Sequence, residues 1–519
     1  MKPTKTFLFL LCILAVVLPM YFSLHDEPES TTRLQTPLVE TRERIRPERQ
    51  REKTEKKDKA EKEAPSLSSL PLQWEKDSLM RLYKKLYRLD ADIFEDELLG
   101  DVPLTSFEYD SAGAGRYLLQ DFFAKLLALR HPLHAGLLAS WYEKPDFWNE
   151  DLPGKRASFV RVLHYGGSLV ENDYVTGTLR RLMQEDFGGR GVGLLPLFQP
   201  GSTRVPLKRS GKWHVSRPKK NALGGNFGVY TACLAPPPIN ALTPKTSDKG
   251  FIQIGIPEEY RRQGLFLECI LHEDVSGNQL QVDADARKLS AIRTVELPGQ
   301  QRRTYALPPQ TKQADLTLTL SKNAILYALS LNDTVGVCVD NLAFKDNEGT
   351  VFSPNNRRFL INQLHLLNTG LIIYQFDGSA ALGKNKDYGY YKMSLMKELG
   401  HIRMLMPQTP VIVVGTASSG HIDRILDIQR ECAFACGCVF WNLDRALGGD
   451  NAMARWAEAQ PALVSRNLSH FTPMGADWAG KLFYRAFLHD YRRFLLQEKK
   501  NMMLQRARQL LPASQKSQS

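Results

Sequence analysis

The stretch Ser158–Tyr165, SFVRVLHY, is rich in β-formers and runs directly into Gly166-Gly167-Ser168. A helix is expected to begin near Asn172 or Asp173, either of which can cap it. Val175, Leu179, Leu182 and Met183 then share one apolar face. Strand, tight glycine turn and helix make an α/β unit. It leaves Ser168 at the C-terminal end of its strand, where open parallel sheets place their ligands.

The last third of the chain has the same grammar. Asn356–Leu367 reads as a helix and Leu371–Phe376 as a buried strand ending at Asp377-Gly378-Ser379. Tyr388–Met406 reads as an amphipathic helix stopped by Pro407, and Val411–Val414 and Cys438–Trp441 as two further buried strands. A final helix is expected from about Ala476 to Leu496. Strands alternating with helices imply a parallel sheet between helical layers. Residues 206–349 differ, because short alternating runs such as GFIQIGI, LFLECIL, LQVDAD and ADLTLTL dominate there. Regular short strands with turn signals suggest an inserted antiparallel β-sandwich. Such an insert suits carbohydrate binding or a structural lid, and fold does not choose between them.

The N-terminus bears on placement. Lys2 and Lys5 precede an apolar run from Phe7 to Phe22, close to the ~17–25 residues that span a bilayer. No clean small-residue cleavage site follows, so residues 7–23 are read as an uncleaved transmembrane anchor behind a cytoplasmic stub, 1–6. The polar segment 24–73 reads as a charged linker. The expected organisation continues with 74–205 as the first part of the α/β domain, 206–349 as the insert, 350–500 as the second part and 501–519 as a flexible tail. The body then lies on the periplasmic side of an inner membrane.

The net charge of +12 does not point to nucleic acid. Much of it lies in residues 41–61, and no zinc finger, RNP signature or aromatic-interleaved basic patch accompanies it. Seven cysteines are few for 519 residues, and Cys432, Cys436 and Cys438 lack a second half at zinc spacing. They read as small core residues, and no metal or cofactor is expected. Trp441, Trp456 and Trp478 fit core packing better than a sugar platform. The glycines from Gly188 to Gly193 fit a plain turn better than a phosphate loop, which needs a Lys-Ser/Thr ending. Asn467-Leu468-Ser469 matches a glycosylation sequon, a reading that its place in a motif discounts.

Residues 162–196, VLHYGGSLVENDYVTGTLRRLMQEDFGGRGVGLLP, resemble the first block of a bacterial SGNH-hydrolase (GDSL-type) subgroup, usually HYGDSQ-x-x-GD, a helix, then FGG-x-GPG. Residues 335–349 resemble its later GV-x-VDN segment, and 371–379 its third-block strand. Residues 440–456 and 467–487 resemble its closing blocks. The resemblance implies a three-layer α/β/α fold and a serine nucleophile at Ser168. It places the general base at His470, an orienting carboxylate three residues earlier, and an oxyanion hole of backbone amides and an asparagine.

Several positions depart from that pattern. The aspartate before the serine is Gly167, the oxyanion asparagine is Ser379 with Asp377 two residues away, the second-block glycine falls on Asp346, and the orienting aspartate is Asn467. Losing one oxyanion donor costs about 100–1000-fold in turnover, and Asp→Asn in a triad about 10,000-fold. Two functions stay open. One is a degenerate accessory or glycan-binding protein in the O-acetylation of a cell-envelope polysaccharide, partnered with a membrane-bound O-acyltransferase. The other is a weak Ser168–His470 O-acetylesterase or acetyltransferase on acylated glycans.

Overall fold

The computed structural model describes residues 105–129, 159–198, 205–218, 225–236, 248–321, 323–344, 349–377, 387–417, 422–449, 451–468 and 470–510. The expected stub, anchor and linker, residues 1–73, lie outside these, as do Asp346 and Ser379. Among the described residues no helix is long and apolar enough to cross a membrane.

Helix α1 (Ala114–Ala128) precedes β1 (Phe159–Gly166), which passes through a 3-10 segment, Ser168–Asp173, into α2 (Tyr174–Phe187). The chain continues through β2 (Gly191–Leu194), β3 (Leu207–Gly211), β4 (His214–Ser216), β5 (Cys233–Ala235), β6 (Lys249–Gly255) and the short α3 (Glu258–Arg261). Next come β7 (Leu265–Leu271), β8 (Leu280–Ala284), β9 (Arg287–Leu289), β10 (Arg293–Leu297), β11 (Gln300–Leu307), β12 (Gln313–Thr319), β13 (Leu326–Asn332) and β14 (Gly336–Ala343). The α/β pattern then resumes with α4 (Arg357–Leu366), β15 (Thr369–Gln375), α5 (Tyr388–Leu405), β16 (Val411–Val414), α6 (Asp423–Ala435) and β17 (Val439–Trp441). Helices α7 (Leu443–Ala446), α8 (Ala452–Glu458) and α9 (Pro473–Leu510) close the chain.

Five strands form one sheet in the order β14-β1-β15-β16-β17, every pair parallel. Ranked along the chain this is 2-1-3-4-5, so the order reverses between β1 and β15. Open sheets of this kind bind ligands outside the strand C-termini at that reversal. Side-chain alternation gives the sheet two apolar faces. Val160, Val162, Val339 and Ile373 pack with residues of α1, α2, α8 and α9. Leu163, Tyr165, Ile372 and Val413 pack with α4, α5 and α6.

The antiparallel strands make two sheets, β10-β11-β7-β13-β5-β4 with β2 on β13, and β3-β6-β12-β8-β9. Inward residues of both, among them Leu267, Leu329, Ile252 and Leu316, share a third core. Residues 336–343, grouped by texture with the insert, belong instead to the parallel sheet as β14, while Gly191–Leu194 joins the antiparallel side as β2. Because β14 is buried along nearly its whole length, it reads as an apolar run with no alternation to mark the change of sheet.

Two local expectations need correction. Asp173 does not cap α2: its backbone is left-handed (φ 59°), and it makes no side-chain capping bond. Arg180, on α2 and buried with it, takes that carboxylate in a bidentate pair at 2.8 and 2.9 Å. The last helix continues to Leu510, into the stretch assigned to a tail. Neither Gly nor Pro occurs between Lys481 and Leu511, and Pro512 follows. The buried Trp441, Trp456, Cys432 and Cys438 are core residues.

Candidate active site

The turn that carries Ser168 is held from three directions. Gly167 N–H donates to Gln375 O at 3.1 Å on the neighbouring strand. Asn341 Nδ2, on β14, donates to Val170 O at 2.9 Å. Beyond the turn, Arg180 grips Asp173 and also donates from Nε to Val339 O at 2.6 Å. Ser168 is exposed at the C-terminal end of β1, beside the reversal of strand order. Phe344 and Phe376, 6.3 Å apart between centroids, form an apolar wall at the ends of the strands flanking β1.

His470 comes from the turn before α9. Ser465 N–H donates to His470 O at 2.9 Å, His470 N–H to Ser465 Oγ at 3.2 Å, and Val464 bridges Phe471. Phe471 is buried against Trp456, which anchors the turn to the core. This presents the imidazole to the serine turn, where Nε2 lies 3.3 Å from Glu171 Oε2. The His470 side chain is 40% exposed and that of Glu171 20%. Asn467, at the orienting position, has Oδ1 accepting from Ser465 Oγ at 2.6 Å. The carboxylate on the imidazole therefore comes from Glu171, three residues after Ser168. Sequence reasoning missed it because the position falls among the unspecified residues of the first block.

Asp377 accepts from Thr416 Oγ1 at 2.8 Å, so the neighbouring strand end, β16, engages this carboxylate. Among the described residues no cluster of three or more His, Cys, Asp or Glu side chains is placed to hold a metal.

Four residues before Ser168 lies a second histidine that does not face solvent. His164 is buried, with Nε2 2.9 Å from Gln375 Oε1 and Nδ1 3.0 Å from Thr176 Oγ1. One ring proton satisfies both contacts: Nε2–H donates to the amide oxygen, and Nδ1 accepts from the hydroxyl. Burial lowers its pKa from 6.5 to about 4, despite the opposing Gln375 bond. Between those values the unfolded chain binds more protons than the folded one, so stability rises with pH. The contribution is present above pH 6.5 and lost as pH falls through 4, on the order of 3 kcal/mol in all. Urea midpoints at pH 7 and pH 4.5 are expected to differ less for His164→Gln than for the natural chain.

The glycines after α2 serve close packing. A Cβ on Gly193 (φ +77°) would lie 2.0 Å from Asp340 Oδ1, so β2 could not approach the parallel sheet with any other residue there.

No family model matches the chain, and no curated protein does. Solved structures do. A peptidoglycan O-acetylesterase aligns over 65% of this chain and 92% of its own, with a TM-score of 0.50 and 16% identity. The fold is SGNH-hydrolase-like. A GDSL-like lipase from Bacteroides ovatus (TM-score 0.21, 11% identity, 55% of this chain and 98% of its own) also matches. So does a salicylyl-acyltransferase from a tetracycline biosynthetic pathway (TM-score 0.23, 12% identity, 58% and 97%). At 16% identity the likeness to the O-acetylesterase speaks to the fold alone, and the two matches with lower TM-scores add nothing to it. The position of Ser168 within that fold rests on the topology and the turn already described.

Proposed function

We propose that this SGNH-like chain is an ester hydrolase or acyltransferase for O-acetyl groups on a cell-envelope polysaccharide, with Ser168 as nucleophile and His470 as base. The observation that carries this reading is the contact between His470 and the serine turn, which gives the base a carboxylate partner despite Asn467. In the proposed cycle Ser168 Oγ attacks the acetyl carbonyl carbon while His470 takes the hydroxyl proton. The tetrahedral intermediate collapses, the C–O bond to the sugar breaks, and His470 returns the proton to the leaving sugar oxygen. Water then hydrolyses acetyl-Ser168, or a second sugar hydroxyl accepts the acetyl group, with His470 as base again.

The peptidoglycan O-acetylesterase among the structural neighbours supports the choice of acyl group and substrate class. The basic, apolar N-terminus supports a single-pass inner-membrane protein with its body in the periplasm, beside a membrane-bound O-acyltransferase.

The accessory reading has its own support in Gly167 and Asn467, which lack the side-chain chemistry of the SGNH pattern. Full-length protein in detergent, incubated with 4-nitrophenyl acetate beside Ser168→Ala, separates the two. Turnover that falls at least about 1000-fold in the variant is the expected result. Equal background rates for both proteins, together with retention on an O-acetylated glycan column, would replace the enzyme by the accessory protein.

A further inference from the structure

We infer that the cavity at the N-terminal end of β1 binds a sugar carrying one carboxylate, with Arg293 and Arg302 holding the anion. Its volume of about 350 Å³ is far above the ~30 Å³ share of one water and falls within the ~300–1,000 Å³ of small-molecule sites. Phe159, the first residue of β1, lines it, and Ser168 lies past the last. At about 3.3 Å per residue the strand holds the two places roughly 23 Å apart, so the inference does not depend on the esterase reading.

One face of the edge strand β10 forms a wall of the cavity. Arg293, Val295 and Leu297 alternate along it, and Arg302 of β11 stands opposite Val295 in register. Two carboxylates also reach the cavity, and both are already engaged. Glu268 Oε2 takes Arg161 Nη2 at 3.2 Å, and its Oε1 lies 3.4 Å from Arg302 Nη1. Asp333 Oδ2 takes Arg190 Nε at 2.8 Å, and its Oδ1 accepts Thr334 N–H at 2.8 Å. Neither is left for Arg293, which is exposed and has no ion-pair partner among the described residues. Arg302 bonds through Nη1 to Leu366 O as well as to Glu268, while its buried Nε has no hydrogen-bond partner. The cavity therefore holds more positive charge than its own carboxylates balance.

Burial pushes the Arg302 pKa down, and Arg161 and Arg293 add to this against the pull of Glu268. A guanidinium stays protonated all the same, so an anion, not loss of a proton, relieves the repulsion. A planar carboxylate suits a guanidinium fork, because it accepts two parallel N–H bonds. Glu268 and Asp333 in the wall limit the ligand's charge, since a phosphate dianion meets twice the repulsion that a carboxylate does. Phe159, Val295 and Leu297 are half-buried and give the C–H face of a sugar ring an apolar seat.

The test titrates the full-length protein in detergent with sodium glucuronate, glucose and inorganic phosphate, each followed by calorimetry. Glucuronate is expected to bind at least about tenfold tighter than glucose or phosphate, the worth of one charge-assisted contact. Arg293→Gln should weaken glucuronate about tenfold with an unchanged melting temperature, and Arg293→Lys should recover part of the affinity. Ser168→Ala should bind glucuronate as the natural chain does. Glucose or phosphate binding as tightly as glucuronate overturns the inference, and so does natural affinity in Arg293→Gln. The absence of saturable glucuronate binding to the natural chain overturns it too. Weakened binding by Ser168→Ala would move the ligand to the catalytic end and reject this cavity. Turnover of 4-nitrophenyl acetate is read separately, and its absence bears on the esterase reading alone.

Discussion

Asp340→Ala is expected to destabilise the protein by about 3–5 kcal/mol and to lower Ser168-dependent turnover as well. The reason is a charge buried where β1 meets the antiparallel strands. Arg161 has no solvent exposure, and its Nη1 donates to both oxygens of Asp340 at 2.8 and 2.9 Å. Its Nη2 reaches Glu268 at 3.2 Å, and Ser330 and Asn332 complete the cage. Asp340 also accepts Leu194 N–H at 2.7 Å, so one carboxylate joins three strands, β1, β14 and β2. Removing one member of a buried pair strands the other without water, and such breaks cost about 3–5 kcal/mol. Arg161→Met should cost at least as much, because it leaves the buried Asp340 with an amide bond and no cation, whereas Asp340→Ala leaves Arg161 its contact with Glu268. The double variant should be less destabilised than the sum of the two, because each single change already forfeits the shared pair. Urea midpoints of the three proteins check the cycle. Turnover falls too because Asn341, the residue after Asp340, holds Val170 O in the serine turn.

What the sequence disclosed follows from how local each signal is. The strand Val411–Val414, the helix beginning at Asn356 and the strand-glycine-serine unit are written in consecutive residues, and each stands where periodicity places it. The Asn356 side chain accepts Phe359 N–H and so caps α4, a detail the sequence reading does not assign. The motif also placed two residues that the fold brings to one end of the sheet: Ser168 lies just past the C-terminal end of β1, and His470 reaches its turn. Glu171 and Arg161 were not legible, for the same reason. A charged residue in a strand or turn looks solvent-facing until its partner is known, and the partners lie 299 residues away at His470 and 179 residues away at Asp340. Asp173 misled in the opposite way. Its type suits a helix cap, but Arg180, two turns along the helix, offers a charged bidentate partner that backbone N–H groups do not match.

The glycine pair before Ser168 should respond unequally to substitution, and the difference locates where the turn is tight. A Cβ on Gly166 would lie 2.4 Å from Val170 Cγ2 and 2.8 Å from Gln375 O. Val170 is fully buried and Gln375 O is backbone, so neither can yield without moving the turn or the neighbouring strand. Overpacking of this kind costs about 1–3 kcal/mol. The effect on catalysis is expected to be larger, since misplacing a reacting group by about 1 Å costs on the order of 100-fold. A Cβ on Gly167, by contrast, meets only Phe376 Cδ1, at 3.9 Å, an ordinary contact. Gly166→Ala should therefore lower turnover of 4-nitrophenyl acetate about 100-fold with a modest drop in melting temperature, while Gly167→Ala leaves both near their natural values. Equal effects at the two positions would mean that the turn relaxes as a unit. The placement of Ser168 would then owe little to the contact between Gly166 and Val170, and more to the bonds from Asn341 and Gln375.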